Sequence, residues 1–353
     1  MKNFKLSIKN VLSVKTALIL SFSLFATIVA AKPLISSANP AEKEKAYQAE
    51  PASKRVIHIG YDGGLCQAAI PIAQLKGFFE AEGIKTELTK AGGGFANARD
   101  AIVGGKVDTY GGMVAEWLKP ITNGVDVRFT FGLHTGCTSA FVLAESKITK
   151  FEKGQKVAVT GGIGGAQHNI SFRFISHDGL QTTDFSWLDL PADQALTVLK
   201  NGDADVFVLG DQLAEKWVQD GSLRRIRSLH GDADFAEESC CVLAIAGAFI
   251  DANPVTAEKI SRAIYNAARW IGESDENKRE AAKLLLENGF ISGTEDYAFS
   301  LAKLFKWGLS KEWTEKTLDN SIAEYQALGV IDKNLKPADI KTQVWFPIET
   351  DKK

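Results

Sequence analysis

Cysteine is scarce in this sequence, four residues in 353, and no two of them stand in a Cys-x-x-Cys pair. That excludes a small disulfide-stapled scaffold and offers no zinc-ribbon spacing. A charge excess is missing too, since 41 Lys and Arg face 43 Asp and Glu, and so is the basic footprint of a nucleic-acid binder. No Gly-rich loop runs into Lys-Ser or Lys-Thr, and neither Gly-x-Ser-x-Gly nor His-Glu-x-x-His occurs. Walker-type phosphate binding, the nucleophile elbow and zincin hydrolysis are therefore not indicated.

What is present begins with an address. Lys2, Lys5, Lys9 and Lys15 precede an apolar run over residues 17–31, closed by Val29, Ala30 and Ala31. A positive n-region, a short h-region and small residues predict a signal peptide over 1–31, cleaved near Ala31, with an uncleaved anchor as the alternative. No Cys follows the run, so a lipoprotein anchor has no attachment point, and a periplasmic protein is expected. Cleavage removes four lysines and no acids, turning a net charge of −2 into −6. Residues 32–53, with Pro33, Pro40 and Pro51 and no apolar period, read as a flexible leader.

Beyond it, β-rich runs alternate with amphipathic ones. Strands are expected at 56–61, 85–89, 107–110 and 127–132, with helices at 65–82, 97–104 and 113–123 between them. A second series places strands at 156–160, 185–189 and 206–209 and helices at 166–177 and 191–201. Two α/β lobes with mostly parallel sheets follow. The β-rich segments 138–144 and 240–246 sit where a chain crossing twice between lobes would place hinge strands. The boundaries expected are lobe 1 over 54–145, lobe 2 over 146–239, and a return to lobe 1 with C-terminal helices over 240–353.

Several stretches together resemble the nitrate/sulfonate/taurine type of ABC-transporter substrate-binding proteins, whose relatives include thiamine-pyrimidine binders. They are Gly60-Tyr61-Asp62-Gly63-Gly64, Lys76-Gly77-Phe78-Phe79-Glu80, Ile102-Val103-Gly104-Gly105-Lys106, Leu190-Pro191-Ala192-Asp193-Gln194, Leu199-Lys200-Asn201-Gly202-Asp203, Cys240-Cys241-Val242-Leu243 and Asn253-Pro254. The resemblance covers roughly residues 55–275 and implies a type II periplasmic-binding-protein fold with a ligand cleft between the lobes. It implies a monomeric binder of a small solute, with ABC permease and ATPase subunits as partners and no cofactor. An enzyme of the pyrimidine-precursor synthase kind, on the same fold, is the competing expectation; its longer Cys run is absent. A sensory module is a third.

Ligands of open α/β sheets sit beyond the carboxyl ends of strands, at helix N-termini. The loops expected there are 62–67, 111–113, 133–137, 161–168 and 210–212. Candidate contacts are Tyr61, Asp62, Gly63, Gly64, Cys66, Gly112, Met113, His134, Thr135, Cys137, Gly162, Ile163, Gly165, Gln167, His168, Trp187 and Asp211, with Cys240 on the returning segment. The glycines would let backbone amides approach an oxyanion, or would only permit tight turns. None of the five loops holds Lys or Arg, although a sulfonate or nitrate gains from one fixed cation. Asp62, Glu116 and Asp211 would instead suit a neutral or cationic ligand, or would cap helices. His134, Cys137, Cys240 and Cys241 form the most unusual set, able to hold a soft metal, to form a disulfide, or to stay as buried thiols.

Overall fold

The computed structural model describes residues 39–349; the expected signal peptide and the first residues of the leader lie outside them. From Asn39 onward the leader is not flexible. Asn39 and Glu42 form a reciprocal capping box that starts helix α1, Pro40–Ala49, and satisfies backbone donors a free helix end leaves open. Composition without an apolar period hid this segment, because its anchoring is tertiary. The Glu50 carboxylate accepts hydrogen bonds from the backbone of Val255 and Thr256 and from the Thr256 hydroxyl at 2.7, 2.8 and 2.6 Å. It thereby caps a helix some two hundred residues away in sequence.

Lobe 1 is built from β1 (Ile57–Tyr61), α2 (Ala69–Leu75), α3 (Phe78–Ala81), β2 (Thr86–Lys90), α4 (Phe95–Val103), β3 (Thr109–Met113), α5 (Val114–Thr122) and β4 (Val127–Thr135). The single helix expected over 65–82 is broken into a 3-10 turn, Leu65–Gln67, followed by α2 and α3. Gly77 causes the second break, since its φ of +73° is left-handed and ends a right-handed helix. Lobe 2 comprises β5 (Thr138–Leu143), β6 (Lys156–Val159), α6 (Ala166–His177), β7 (Ser186–Asp189), α7 (Ala195–Asn201), β8 (Val206–Gly210), α8 (Asp211–Gln219) and β9 (Leu223–Ser228). The chain then returns through β10 (Ser239–Ala246) to α9 (Gly247–Ala252), α10 (Pro254–Glu273), α11 (Asp275–Glu287), α12 (Glu295–Ala302), α13 (Lys311–Ala327) and α14 (Pro337–Val344).

The two sheets repeat one plan. Lobe 1 has strand order β2-β1-β3-β10-β4, and lobe 2 has β7-β6-β8-β5-β9. In each, the one strand antiparallel to its neighbours is the strand that has just crossed from the other lobe, β10 in the first and β5 in the second. Since β5 pairs with β8 and β9, lobe 2 begins at Thr138 and not at residue 146. The first crossing is thus the short link Gly136–Cys137, and the second is residues 229–238. The crossings touch: a Cβ on Gly136 would stand 2.2 Å from Leu229 Cβ and 2.4 Å from its carbonyl carbon.

Two fully buried apolar layers support this plan. Ile57, Ile59, Phe129 and Phe131 lie in the lobe 1 sheet, and Phe141, Val157, Phe207 and Val208 in that of lobe 2. Burying each such side chain contributes about 1.5–3 kcal/mol. Of the C-terminal helices, α10 packs on α2, α3 and β4, as expected for a return to lobe 1. Helix α13 rests on β4 and α5 and also reaches α6 of lobe 2. Among the described residues, no helix is long and apolar enough to cross a membrane.

Candidate functional site

The parallel strands of lobe 1 end at one edge of the sheet, and β10, running the other way, begins there. That edge collects the sulfur of the protein. Cys66 sits on the turn after β1, His134 near the end of β4, Cys137 in the first crossing, and Cys240 and Cys241 at the start of β10. Adjacent residues of a regular strand face opposite sides of a sheet. Here the β10–β4 register shifts between Ser239 and Cys241 and again between Cys241 and Val242, and this bulge turns both cysteines toward one centre.

The sulfurs are close but unbonded: Cys137 Sγ is 3.0 Å from Cys240 Sγ and 3.9 Å from Cys241 Sγ, and all four cysteines are free. Cys66 Sγ, Cys137 Sγ and a His134 ring nitrogen lie within 4.8 Å of one another. Cys137 and Cys241 thiols donating to Cys66 and Cys240 hold those two well below the usual thiol range; the same contacts push Cys137 well above it, and Cys241 too, there against the opposing contact with Cys137. Burial opposes protonation of His134, but the neighbouring Cys66 sulfur outweighs it and raises the imidazole. The Glu116 carboxyl is pushed up to about 8 by burial, against the hydrogen bond it accepts from Met113 N–H at 2.9 Å.

Around this centre stand polar groups without hydrogen-bond partners: Trp117 Nε1, His134 Nε2, Thr138 Oγ1, Ser239 Oγ and Asp211 Oδ2. Buried groups of this kind are rare in folded proteins and mark strain, catalysis or a ligand. Gly112 makes room for two groups of the site, since a Cβ there would lie 2.6 Å from Trp117 Nε1 and 2.7 Å from Glu116 Oε1.

Lobe 2 closes over the site through Gln212, at the start of α8. Its Oε1 accepts from Leu65 N–H at 3.1 Å and stands 3.7 Å from Cys66 Sγ, while its backbone oxygen accepts from Tyr297 at 3.0 Å. Asn169 of α6 donates to the Ala115 carbonyl at 3.0 Å. Beside this seam runs a groove of about 460 Å³ lined by Asp62, Gly63, Gly64, Gln212, Leu213 and Phe290 among others.

The other expected contacts divide. Tyr61 is buried and spends its hydroxyl on the Phe290 carbonyl at 2.5 Å. Asp62 caps no helix; it accepts from the amides of Gly92 and Gly93 at 2.9 and 3.0 Å and from the Tyr110 hydroxyl at 3.2 Å. Thr135 ties its backbone and hydroxyl to Lys306. Asp211 is fully buried, accepts from Ser139 and Arg225 at 2.8 and 2.9 Å, and is raised by burial against the pull of Arg225. It is therefore a paired charge and not an open one. In lobe 2, His168 packs on Phe172 and Trp187, and accepts from Gly164 N–H at 3.2 Å. Gly162 N–H donates to Asp189 at 3.0 Å, Ile163 is exposed, and a Cβ on Gly165 would meet the Gly161 carbonyl at 2.5 Å. The glycines of this loop form its turn, and Gln167 lies half-buried beside it. Sequence reasoning left Gln212, Asn169, Ser239 and Thr138 out of the candidate contacts. Only the position of Gln212 in an expected loop pointed to it.

Residues 50–286 match the model of the NMT1-like family. No curated protein matches the chain significantly. Among solved structures, the ligand-binding component of an ABC-type import system from Staphylococcus aureus, solved with zinc bound, is 12% identical with a TM-score of 0.67, covering 83% of this chain and 97% of its own. The alkanesulfonate-binding protein of Xanthomonas axonopodis pv. citri, solved with MOPS, is 16% identical with a TM-score of 0.66, at 85% and 98% coverage. The periplasmic nitrate-binding protein of Synechocystis PCC 6803 is 16% identical with a TM-score of 0.67, at 82% and 86%. These likenesses agree with the type II periplasmic-binding fold of two mixed sheets.

Proposed function

Because the chain belongs to the NMT1-like family, we propose that it is the periplasmic solute-binding component of an ABC importer, which captures a small solute between its lobes and passes it to a membrane permease. The observation that carries this reading is the buried, under-satisfied polar centre at the crossing of the two lobes. It is walled by β1, β4 and β10 on one side and closed by Gln212 on the other.

Capture follows from the geometry. The lobes are joined by two crossings that touch at Gly136 and Leu229, a compact pivot. Around the site the lobes meet through Gln212, bonded to Leu65 and Tyr297, and through Asn169, bonded to Ala115. A ligand that engages groups of both lobes stabilises the closed state by its differential affinity, and a permease reads that state. The nitrate and sulfonate binders among the structural neighbours make a small anion one reading of the cargo; uncharged donors such as Trp117 Nε1 and Ser239 Oγ would then hold it.

Mass spectrometry of what co-purifies, then small-angle scattering and thermal shift against taurine, alkanesulfonates, nitrate, bicarbonate, pyrimidines and divalent metals, tests the reading. A solute that raises the melting temperature, compacts the particle and, with the protein, stimulates the ATPase of its permease complex supports it. Turnover of that solute, or a particle whose dimensions respond to none of the panel, overturns it.

A further inference from the structure

We propose that Cys66, His134 and Cys137, with Cys240 or Cys241 as the fourth ligand, bind a thiophilic metal ion, zinc or monovalent copper, as the cargo of this protein; the cargo assignment rests on the importer reading above.

The first argument is the donor set. Four thiols and an imidazole from three separate chain segments form two triads that share Cys137, one of Cys66, His134 and Cys137 and one of Cys137, Cys240 and Cys241, the donor atoms of each lying within 4.8 Å of one another, and soft or borderline ions select such donors. A tetrahedral ion with metal–sulfur bonds of about 2.3 Å places its sulfurs about 3.8 Å apart. Cys137 and Cys241 already stand at 3.9 Å, and Cys137 and Cys240, at 3.0 Å, need to part by less than 1 Å. The bulge at the start of β10 turns two consecutive cysteines to the same side.

The second argument is independent of sulfur. His134 is fully buried, and its Nδ1 lies 2.5 Å from the Thr135 carbonyl oxygen. A carbonyl only accepts, so Nδ1 carries a proton, and in the neutral ring that binds a metal it is Nε2 that presents the lone pair. That Nε2 has no hydrogen-bond partner. A backbone carbonyl fixing one nitrogen while the other waits with a free lone pair is the arrangement metal-ligating histidines adopt. Phe305 and Trp307 pack against the ring at 4.9 and 5.1 Å between centroids and hold its plane.

The third argument is charge. Lys303 and Lys306, on the segment that packs against His134, turn their ammonium groups onto the Phe299 and Trp313 rings, and the nearby Arg225 is committed to Asp211 and Glu215. An oxyanion finds these cations engaged elsewhere, whereas a soft cation finds the thiols. The ion would be exchangeable, since Cys66 is only partly buried and Gln212 of the opposite lobe covers its sulfur. Opening the lobes uncovers it.

The test uses the full chain without its signal peptide, reduced and metal-free, titrated with Zn(II), with Cu(I) against a competing chelator, and with Mg(II) as a control. Co(II) serves as a spectroscopic probe, because sulfur-to-cobalt charge transfer reports thiolate ligation. We expect one equivalent of Zn(II) or Cu(I), intense cobalt–thiolate absorption, and no response to Mg(II). Cys66→Ser, at a half-exposed turn the fold tolerates, should weaken binding by at least about 100-fold, more than the loss of an outer-shell partner does. His134→Gln should weaken it while leaving the thiolate bands in place.

Three results overturn the proposal. One is the absence of stoichiometric binding while another solute closes the lobes, which leaves the importer reading standing. The second is a Cys137–Cys240 disulfide, seen as a loss of two hydrogens by mass, that forms in air and persists with metal present. The third is tight metal binding that neither compacts the particle nor exchanges with the permease complex, making the ion a resident one.

Discussion

Two buried polar centres join the lobes of this protein, and they differ in one respect. At the first, Arg173 of α6 meets Glu238 at 2.8 Å and Glu324 of α13 at 2.5 Å, Asn320 completes Glu238 at 2.9 Å, and the guanidinium lies 5.0 Å from the Phe235 ring. At the second, beside the thiols, His134, Trp117, Ser239 and Thr138 leave donors and acceptors unmatched. A buried network that is fully satisfied fixes structure, and one that is not carries a standing cost that a ligand can remove. The arginine centre is therefore a latch of the fold, and the sulfur centre is the one left for the proposed solute to complete.

The comparison breaks most visibly at the latch. Arg173→Ala leaves Glu238, only 7% exposed, without its cation, and should cost about 3–5 kcal/mol in urea unfolding. A loss under 1 kcal/mol would mean the two centres do not differ as argued. Gly136→Ala comes next. Its new Cβ meets the backbone of Leu229 in the other crossing, so overpacking should destabilise by about 1–3 kcal/mol and shift the lobes toward the open form, read as a larger radius of gyration without ligand. Unchanged dimensions would remove the pivot from this link.

How much of this was legible beforehand follows from range. The strands and helix α6 showed themselves through local period, and Ala166–His177 matches its expected span. The crossing point did not, because the pairing of β5 with β8 and β9 is set by partners some seventy residues or more away. Strand β9, Leu223–Ser228, escaped notice since three arginines interrupt its apolar pattern, each paired to carboxylates or carbonyls. In the site, the cysteines and His134 stood out by residue type. Gln212, Ser239 and Thr138 are ordinary polar residues whose importance is their geometry. Lobe 2 glycines looked like ligand cradles for the same reason they make turns, and only tertiary contacts separate the two uses.

The sulfur centre can be sharpened by removing one of its unmatched groups. Thr138, fully buried on β5, has a hydroxyl with no partner, and Thr138→Val keeps the branched shape while deleting it. Without ligand this variant should be as stable as the parent or up to about 1 kcal/mol more stable, because a buried unpaired hydroxyl costs on that order. A loss of more than 1 kcal/mol in thermal or urea unfolding would reveal a partner and weaken the case for an under-satisfied centre.

An effect of similar size belongs again to the latch. Burial would raise the Glu324 carboxyl, but Arg173 and then His177 beside it outweigh burial and hold it below its ordinary value. A carboxylate whose folded pKa is depressed contributes stability above its unfolded pKa of about 4.3, and that contribution disappears as pH falls through the lower folded value. Glu324→Gln should therefore cost about 1 kcal/mol at pH 7, and its stability curve should converge on the parent's below about pH 4. Urea midpoints measured from pH 3 to 7 decide it: curves that run parallel throughout would mean that the α6–α13 pair adds no charge-dependent stability, leaving Arg173 and Glu238 as the whole of the latch.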